Sequence, residues 1–260
     1  MHRTRFPKFA DRIAETLRPV LAAADRIVQI GRPLVDVAVS GQLPDVAKQI
    51  TRTIHNSMES VLILVSNGCG TDALKIGRTM FEAAVTVHYL DSHPNLVQDY
   101  IDFVWVKRKK HYDYLLRFAP SEAERLDPDT IRETEAEYER VKRRFMDAKG
   151  RVRNRWHKPD LREIARLIGG GLIYGGIYTF VSSLIHMDML GIISGGSEDV
   201  ELVPSEVNLV LALDMAVMSY AMALTAFDEI AKLGRAELVD AAFADFKSAR
   251  GGLRLTLVES

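Results

Sequence analysis

Arg78 and Glu82 stand one helical turn apart in Arg78-Thr79-Met80-Phe81-Glu82, and Tyr174, Tyr178, Ser182 and His186 recur at four-residue intervals. Residues three or four apart share a helix face, so each set makes a polar stripe on an otherwise apolar segment. A guanidinium held by a carboxylate is a fixed cation suited to an anionic group such as a phosphate. An imidazole can take up or release a proton near neutral pH. The chemistry these types would perform together is metal-independent cleavage of a phosphodiester in RNA or a nucleotide. Arg78 would hold the phosphate, Glu82 would orient Arg78, and His186 would be the general acid/base. Tyr178 and Ser182 are then ligand-binding positions. Asp214, the only charge in the run Leu209 to Val217, is expected as a further wall, pairing with Arg78 or His186. The competing reading is structural. Buried polar groups need partners, and two facing stripes would satisfy each other in a non-catalytic ligand-binding or protein-interaction module.

Other chemistries fit these residues less well. Ser182 and His186 lie in mid-helix, whereas a serine nucleophile needs an oxyanion hole and usually a sharp presenting turn. His55 and Glu59 are one turn apart, yet no Glu-x-x-His pair or dense carboxylate–histidine motif accompanies them, so no metal is expected. There is no phosphate-binding loop of the P-loop type and no dinucleotide fingerprint, and no cofactor is expected. Arg151 and His157 match an Arg-x5-His pattern that chance supplies readily in a chain this rich in arginine.

The stripes must be positioned by helices, because helical signals dominate and alternating strand patterns are scarce. The fold class expected is all-α, a multi-helix bundle with a buried apolar central helix and a long charged helical arm. Pro44 opens a helix to Asn67 that Gly68 stops, and Thr71 or Asp72 caps the Arg78–Glu82 helix, which ends before His93-Pro94. This second helix is apolar nearly all round, so the ion pair is expected to be buried with it. A third helix runs from about Asn95 to Phe118. Asp127-Pro128-Asp129 opens a charged helix to about Gly150, and Leu161 to Ile168 is a short helix before the glycine cluster at 169–171. Pro204-Ser205 opens an apolar helix to about Leu233, and Gly234 and Gly251-Gly252 bracket the last one. Val35 to Val39 and Leu253 to Val258 are the only strand candidates. The expected segments are 1–43, an N-terminal helix and linker; 44–233, the bundle core with a charged arm at 121–158; and 234–260, a C-terminal helix and tail.

Acidic residues load the start of the charged helix and basic ones its end, the order that the helix dipole favours. Arg151, Arg153, Arg155 and Trp156 in the basic stretch are candidate nucleic-acid-binding residues: the arginines for phosphate, the indole to stack on a base. A solvated arm accounts for the same pattern without a ligand.

Composition restricts the rest. Thirty-four basic and 35 acidic residues leave a net charge of −1, so no global bias toward nucleic acid or membrane exists. The single cysteine, Cys69, excludes an internal disulfide and suits a reducing cytoplasm. No charge occurs between Leu167 and Met187, long enough to cross a bilayer. The glycines at 169–171 and 175–176, the polar ladder and the lack of a following basic cluster argue against a span, so no stable membrane insertion is expected. The partners expected are an RNA or nucleotide ligand and a second copy of the chain, as a homo-oligomer.

The string Arg78-Thr-Met-Phe-Glu82 continuing to Tyr89-Leu90, together with Tyr178-x3-Ser182-x3-His186 and Trp156 upstream, resembles the bacterial family catalogued as domain of unknown function 5677. The resemblance covers about Gln49 to Gly191. It implies an all-helical soluble fold with Arg78, Glu82, Ser182 and His186 as signature positions, and no activity. A looser similarity is to HEPN-type helical bundles, in which arginine and histidine act on RNA phosphate; here the two lie on different helices.

Overall fold

The computed structural model describes residues 15–168, 171, 174–179, 181–182 and 206–253. Their contacts divide the chain into two compact units, Met1–Ser92 with Leu161–Ser260 and His93–Asp160. The first unit contains α1 (Arg18–Asp36), α2 (Gln42–Ser66), α3 (Gly70–Ser92), α6 (Leu161–Leu167), α7 (Glu206–Ala231) and α8 (Ala236–Gly251). The second contains α4 (Val97–Phe118), a single turn Pro120–Ala123, α5 (Pro128–Val141) and a 3-10 turn Lys142–Phe145. The chain is all-α: among the described residues there is no strand, and the one β-bridge joins Met146 to Val152.

The central element of the first unit is α7. Its residues Leu209, Val210, Leu213, Met215, Ala216, Val217, Tyr220, Leu224 and Phe227 are all buried. It packs chiefly on α3, then on α2 and α8. A helix apolar all round suits such a central position. By length and composition α7 could also cross a membrane, and 72% of its most apolar window is buried against the bundle. Close approach to α3 depends on glycine: a Cβ on Gly70 would lie 2.8 Å from the backbone nitrogen of Leu209. Farther along, Ala47, Val87, Ala226 and Phe227 form a core cluster, and Val37, Val39 and Ile50 pack against it.

α1 buries one stripe, Val20, Ala23, Ala24, Ile27, Val28, Gly31, Leu34 and Val35, at helical spacing. The strand expected at Val35 to Val39 does not form. Val35 completes the last turn of α1, and Val37 and Val39 instead cover the cluster around Phe227. Of the other strand candidate, all but Leu253 lies outside the described residues.

In the second unit α4 and α5 enclose Phe103, Val106, Val141 and Phe145, with Trp105, Tyr138, Val152 and Trp156 against them. The Asp127 side chain accepts the backbone N–H of Thr130 at 3.0 Å, and Pro128 fills the first helical position, as their types predict. The charged helix ends at Val141 and not near Gly150. There the backbone tightens into the 3-10 turn, from which Arg144 reaches Asp99 (2.7 Å) and Asp102 while Arg140 reaches Asp102 from α5 (3.2 Å). Burial alone would push the Asp102 carboxyl up, but hydrogen bonds from Arg144 and Arg140 hold it below its ordinary value. The charged stretch therefore belongs to a small unit with its own core, tied to α4 by an internal ion cluster.

Candidate functional site

The first stripe comes from the middle of α3. Gly77, Met80, Phe81, Ala84 and Val85 are buried there, whereas Lys75 and Thr79 are exposed. Arg78 and Glu82 occupy the border between these faces. The second stripe begins in a π-helical turn, Tyr174–Tyr178. Such turns are rare, and they occur often at functional sites because they offset a side chain from its helical position.

Three polar groups meet where these elements touch. Arg78 Nε lies 3.2 Å from Glu82 Oε1, without the alignment of a hydrogen bond. Arg78 Nη2 donates to the Tyr178 hydroxyl at 3.1 Å, and that hydroxyl donates to Glu82 Oε1 at 2.7 Å. The guanidinium carbon is 4.9 Å from the centre of the Tyr178 ring, and Tyr174 stacks on Tyr178 with centroids 4.7 Å apart and planes at 18°. Burial, and then donation to the Glu82 carboxylate, push the Tyr178 phenol up to about 12. Tyr178 thus stays protonated near neutral pH and serves as a donor, not as a base.

The burial expected for the ion pair is not found. The Arg78 side chain is 20% exposed and that of Glu82 44%, because the edge of α3 that carries them meets solvent. A pair this open contributes no more than about 1 kcal/mol to stability. The centre is nonetheless preorganised, since arginine, carboxylate and phenol hold one another in a closed triangle.

The remaining sequence-derived positions are placed as follows. Ser182 is half-buried and helical, one turn beyond Tyr178. His186 lies outside the described residues. Asp214 does not pair with Arg78: its carboxylate takes the Nε–H of Arg250 on α8 at 3.1 and 3.2 Å. Burial pushes this carboxyl above its ordinary value, and Arg250 partly offsets that. Residue 214 is part of the packing of α7 on α8, whereas α7 faces α3 through Ala212 and Met215 near Gly77.

Of the nucleic-acid candidates, Arg153 and Trp156 turn inward. Arg153 donates to the carbonyls of Arg144 (3.1 Å) and Trp156 (3.2 Å). Trp156 packs edge-on against Tyr100 at 5.3 Å and against His157 at 5.0 Å, within the core of its unit. His157 Nδ1 lies 2.5 Å from the Pro159 carbonyl. Arg151 pairs with Asp147 at 3.1 Å, and Arg155 is exposed.

A second polar cluster, buried only at His55 and Tyr220, was not assembled from the sequence. The Tyr220 hydroxyl is 2.5 Å from His55 Nδ1, His55 Nε2 faces Glu59 at 3.6 Å, and Arg32 donates to Glu59 at 2.6 Å. The spacing of His55 and Glu59 was visible, but nothing near them in the sequence indicated Tyr220 as the partner of the imidazole.

An all-helical bundle with a half-open arginine–carboxylate–tyrosine centre is the class that fold and site define. The model of a family of unknown function, DUF5677, matches residues 45–199, more than half of the chain, and the chain belongs to that family. The match includes Arg78, Glu82, Tyr178, Ser182 and His186 and the basic loop, and leaves out Asp214. No curated protein and no solved structure is similar to the chain.

Proposed function

We propose that the Arg78–Glu82–Tyr178 centre binds a phosphodiester of RNA or a nucleotide and cleaves it without a metal. The observation that carries the reading is the fixed guanidinium: Arg78 is held by Glu82 and Tyr178 on an edge that solvent reaches. A preorganised cation costs no reorganisation when negative charge develops at phosphorus. Tyr178 fixes the Glu82 carboxylate toward Arg78 by donating to it. His186 takes the proton of the attacking hydroxyl and returns a proton to the leaving oxygen, with Ser182 as a ligand contact. The chain works as a soluble cytoplasmic homo-oligomer.

The test is cleavage of single-stranded RNA and of an activated phosphodiester in the presence of EDTA. Arg78→Ala and His186→Ala should each lower turnover at least about 100-fold, the usual contribution of a positioned acid–base group. Melting temperatures should change little. A wild-type protein inert toward both substrates sinks the reading.

One observation favours a second reading, a non-catalytic centre. Nη2 of Arg78 already donates to Tyr178 and the guanidinium charge already faces Glu82 at 3.2 Å, which leaves less of both for a ligand. In that case Arg78→Ala lowers the melting temperature and alters no binding or turnover.

A further inference from the structure

The second unit carries a basic cleft built from its own residues. Its walls are Asp147, Arg151, Arg153, Asn154, Arg155 and Lys158, around a volume of about 750 Å³. That volume falls in the range of small-molecule sites. What distinguishes it from a solvated charge run is the way its backbone is held. Lys110 on α4 donates to the carbonyl of Arg153 (2.9 Å), to Asn154 Oδ1 (2.8 Å) and to the carbonyl of Val152 (3.4 Å). Arg153 ties the loop to Arg144 and Trp156 from the inside, and the Met146–Val152 bridge closes its base.

Charge on the cleft is unequally spent. Asp147 is saturated: it accepts the backbone N–H of Lys149 (2.8 Å) and Arg151 (2.9 Å) and the Arg151 guanidinium at 3.1 and 3.2 Å. Arg155 and Lys158 are exposed and make no ion pair among the described residues. Two inward cations thus fix a loop that presents two outward ones.

We infer that the loop 151–158, pinned by Lys110, is a phosphate-binding cradle in which Arg155 and Lys158 take the phosphate of a mononucleotide or of one residue in an RNA strand. A rigid loop loses little entropy on binding, and an arginine fork beside a lysine suits phosphate oxygens.

The experiment is fluorescence anisotropy of the full chain with a labelled single-stranded RNA of about 12 nucleotides, at about 50 and 200 mM salt. Arg155→Glu/Lys158→Glu should weaken binding at least about tenfold and make the log–log salt slope shallower by about 1.4, two contacts at about 0.7 each. The charge-matched Arg125→Glu/Arg132→Glu, outside the cleft, should change affinity less than about twofold. Displacement by adenosine monophosphate would assign the mononucleotide, and its failure beside tight RNA binding would assign the strand; either supports the cradle. Equal loss in the control pair, displacement by polyglutamate as effective as by RNA, or no binding at low salt overturns it. A cleavage readout separates this inference from the proposed catalysis: wild-type protein that binds the RNA in EDTA, loses that binding in Arg155→Glu/Lys158→Glu and never cleaves the strand keeps the cradle and sinks only the catalysis.

Discussion

Tyr178 connects the two polar stripes, because its hydroxyl both receives from Arg78 and gives to Glu82. That the stripes meet could be read from residue types alone, since polar residues on apolar helices require partners. Which partner each would choose was less legible. Asp214 was expected to pair with Arg78 or His186, and only the packing of α7 on α8 selects Arg250. His55 gives the sharpest prediction at this scale. Burial pushes its imidazole below the ordinary value, with Arg32 acting in the same direction and Glu59 and Asp36 opposing. Burial does the same to His157 in the second unit. Each is neutral when folded, so the unfolded chain binds more protons once the pH drops below the unfolded value of about 6.5. Stability is therefore complete above that pH and declines as pH falls through the lowered folded values. Melting temperatures at pH 7.5 and 5 should show this decline, and His55→Gln should flatten it. An unchanged pH dependence in His55→Gln would show that the buried imidazole is not its source.

Helix limits were legible wherever a residue type enforces them. Gly68 adopts φ +79 after α2, Pro94 and Pro120 bound α4, and Gly234 adopts φ +68 ahead of α8. The early end of α5 was not legible: the turn that follows it carries Arg144, which pairs with Asp102, a carboxylate from another helix. The start of α8, which Gly234 marks, also draws on a carboxylate from another helix. Its N-cap, Arg235, makes no side-chain cap hydrogen bond. In its place Asp228, buried on α7, accepts the N–H of Arg235 at 2.8 and 3.0 Å and of Ala236 at 3.0 Å. A carboxylate there satisfies otherwise orphaned donors and complements the helix dipole. Asp228→Ala should cost about 1–2 kcal/mol, the range for losing an N-cap. Hydrogen exchange should accelerate in the first turn of α8 before any change in α3. A variant as stable as the parent would mean that water replaces the carboxylate without loss.

At the scale of the molecule, the contiguous second unit interrupts the first between Ser92 and Leu161. The central helix of the first unit, α7, comes later still, although α2 and α3 pack upon it. Synthesis from the N-terminus therefore delivers every residue of the second unit before the first can close its core. On the ribosome α2 and α3 must wait with an unfilled apolar face while α4, α5 and the basic loop already have the partners that belong to their own unit. Chains arrested about 40 residues past Asp160, enough to clear the exit tunnel, should resist mild proteolysis across His93–Asp160 and be cut within α2 and α3. Cleavage spread evenly over both would show that the inserted unit gains its order only from the finished protein. The exposed face of α2 and α3 during that interval is a natural client surface for chaperones, which makes yield in the cell depend on how fast residues 161–231 are translated.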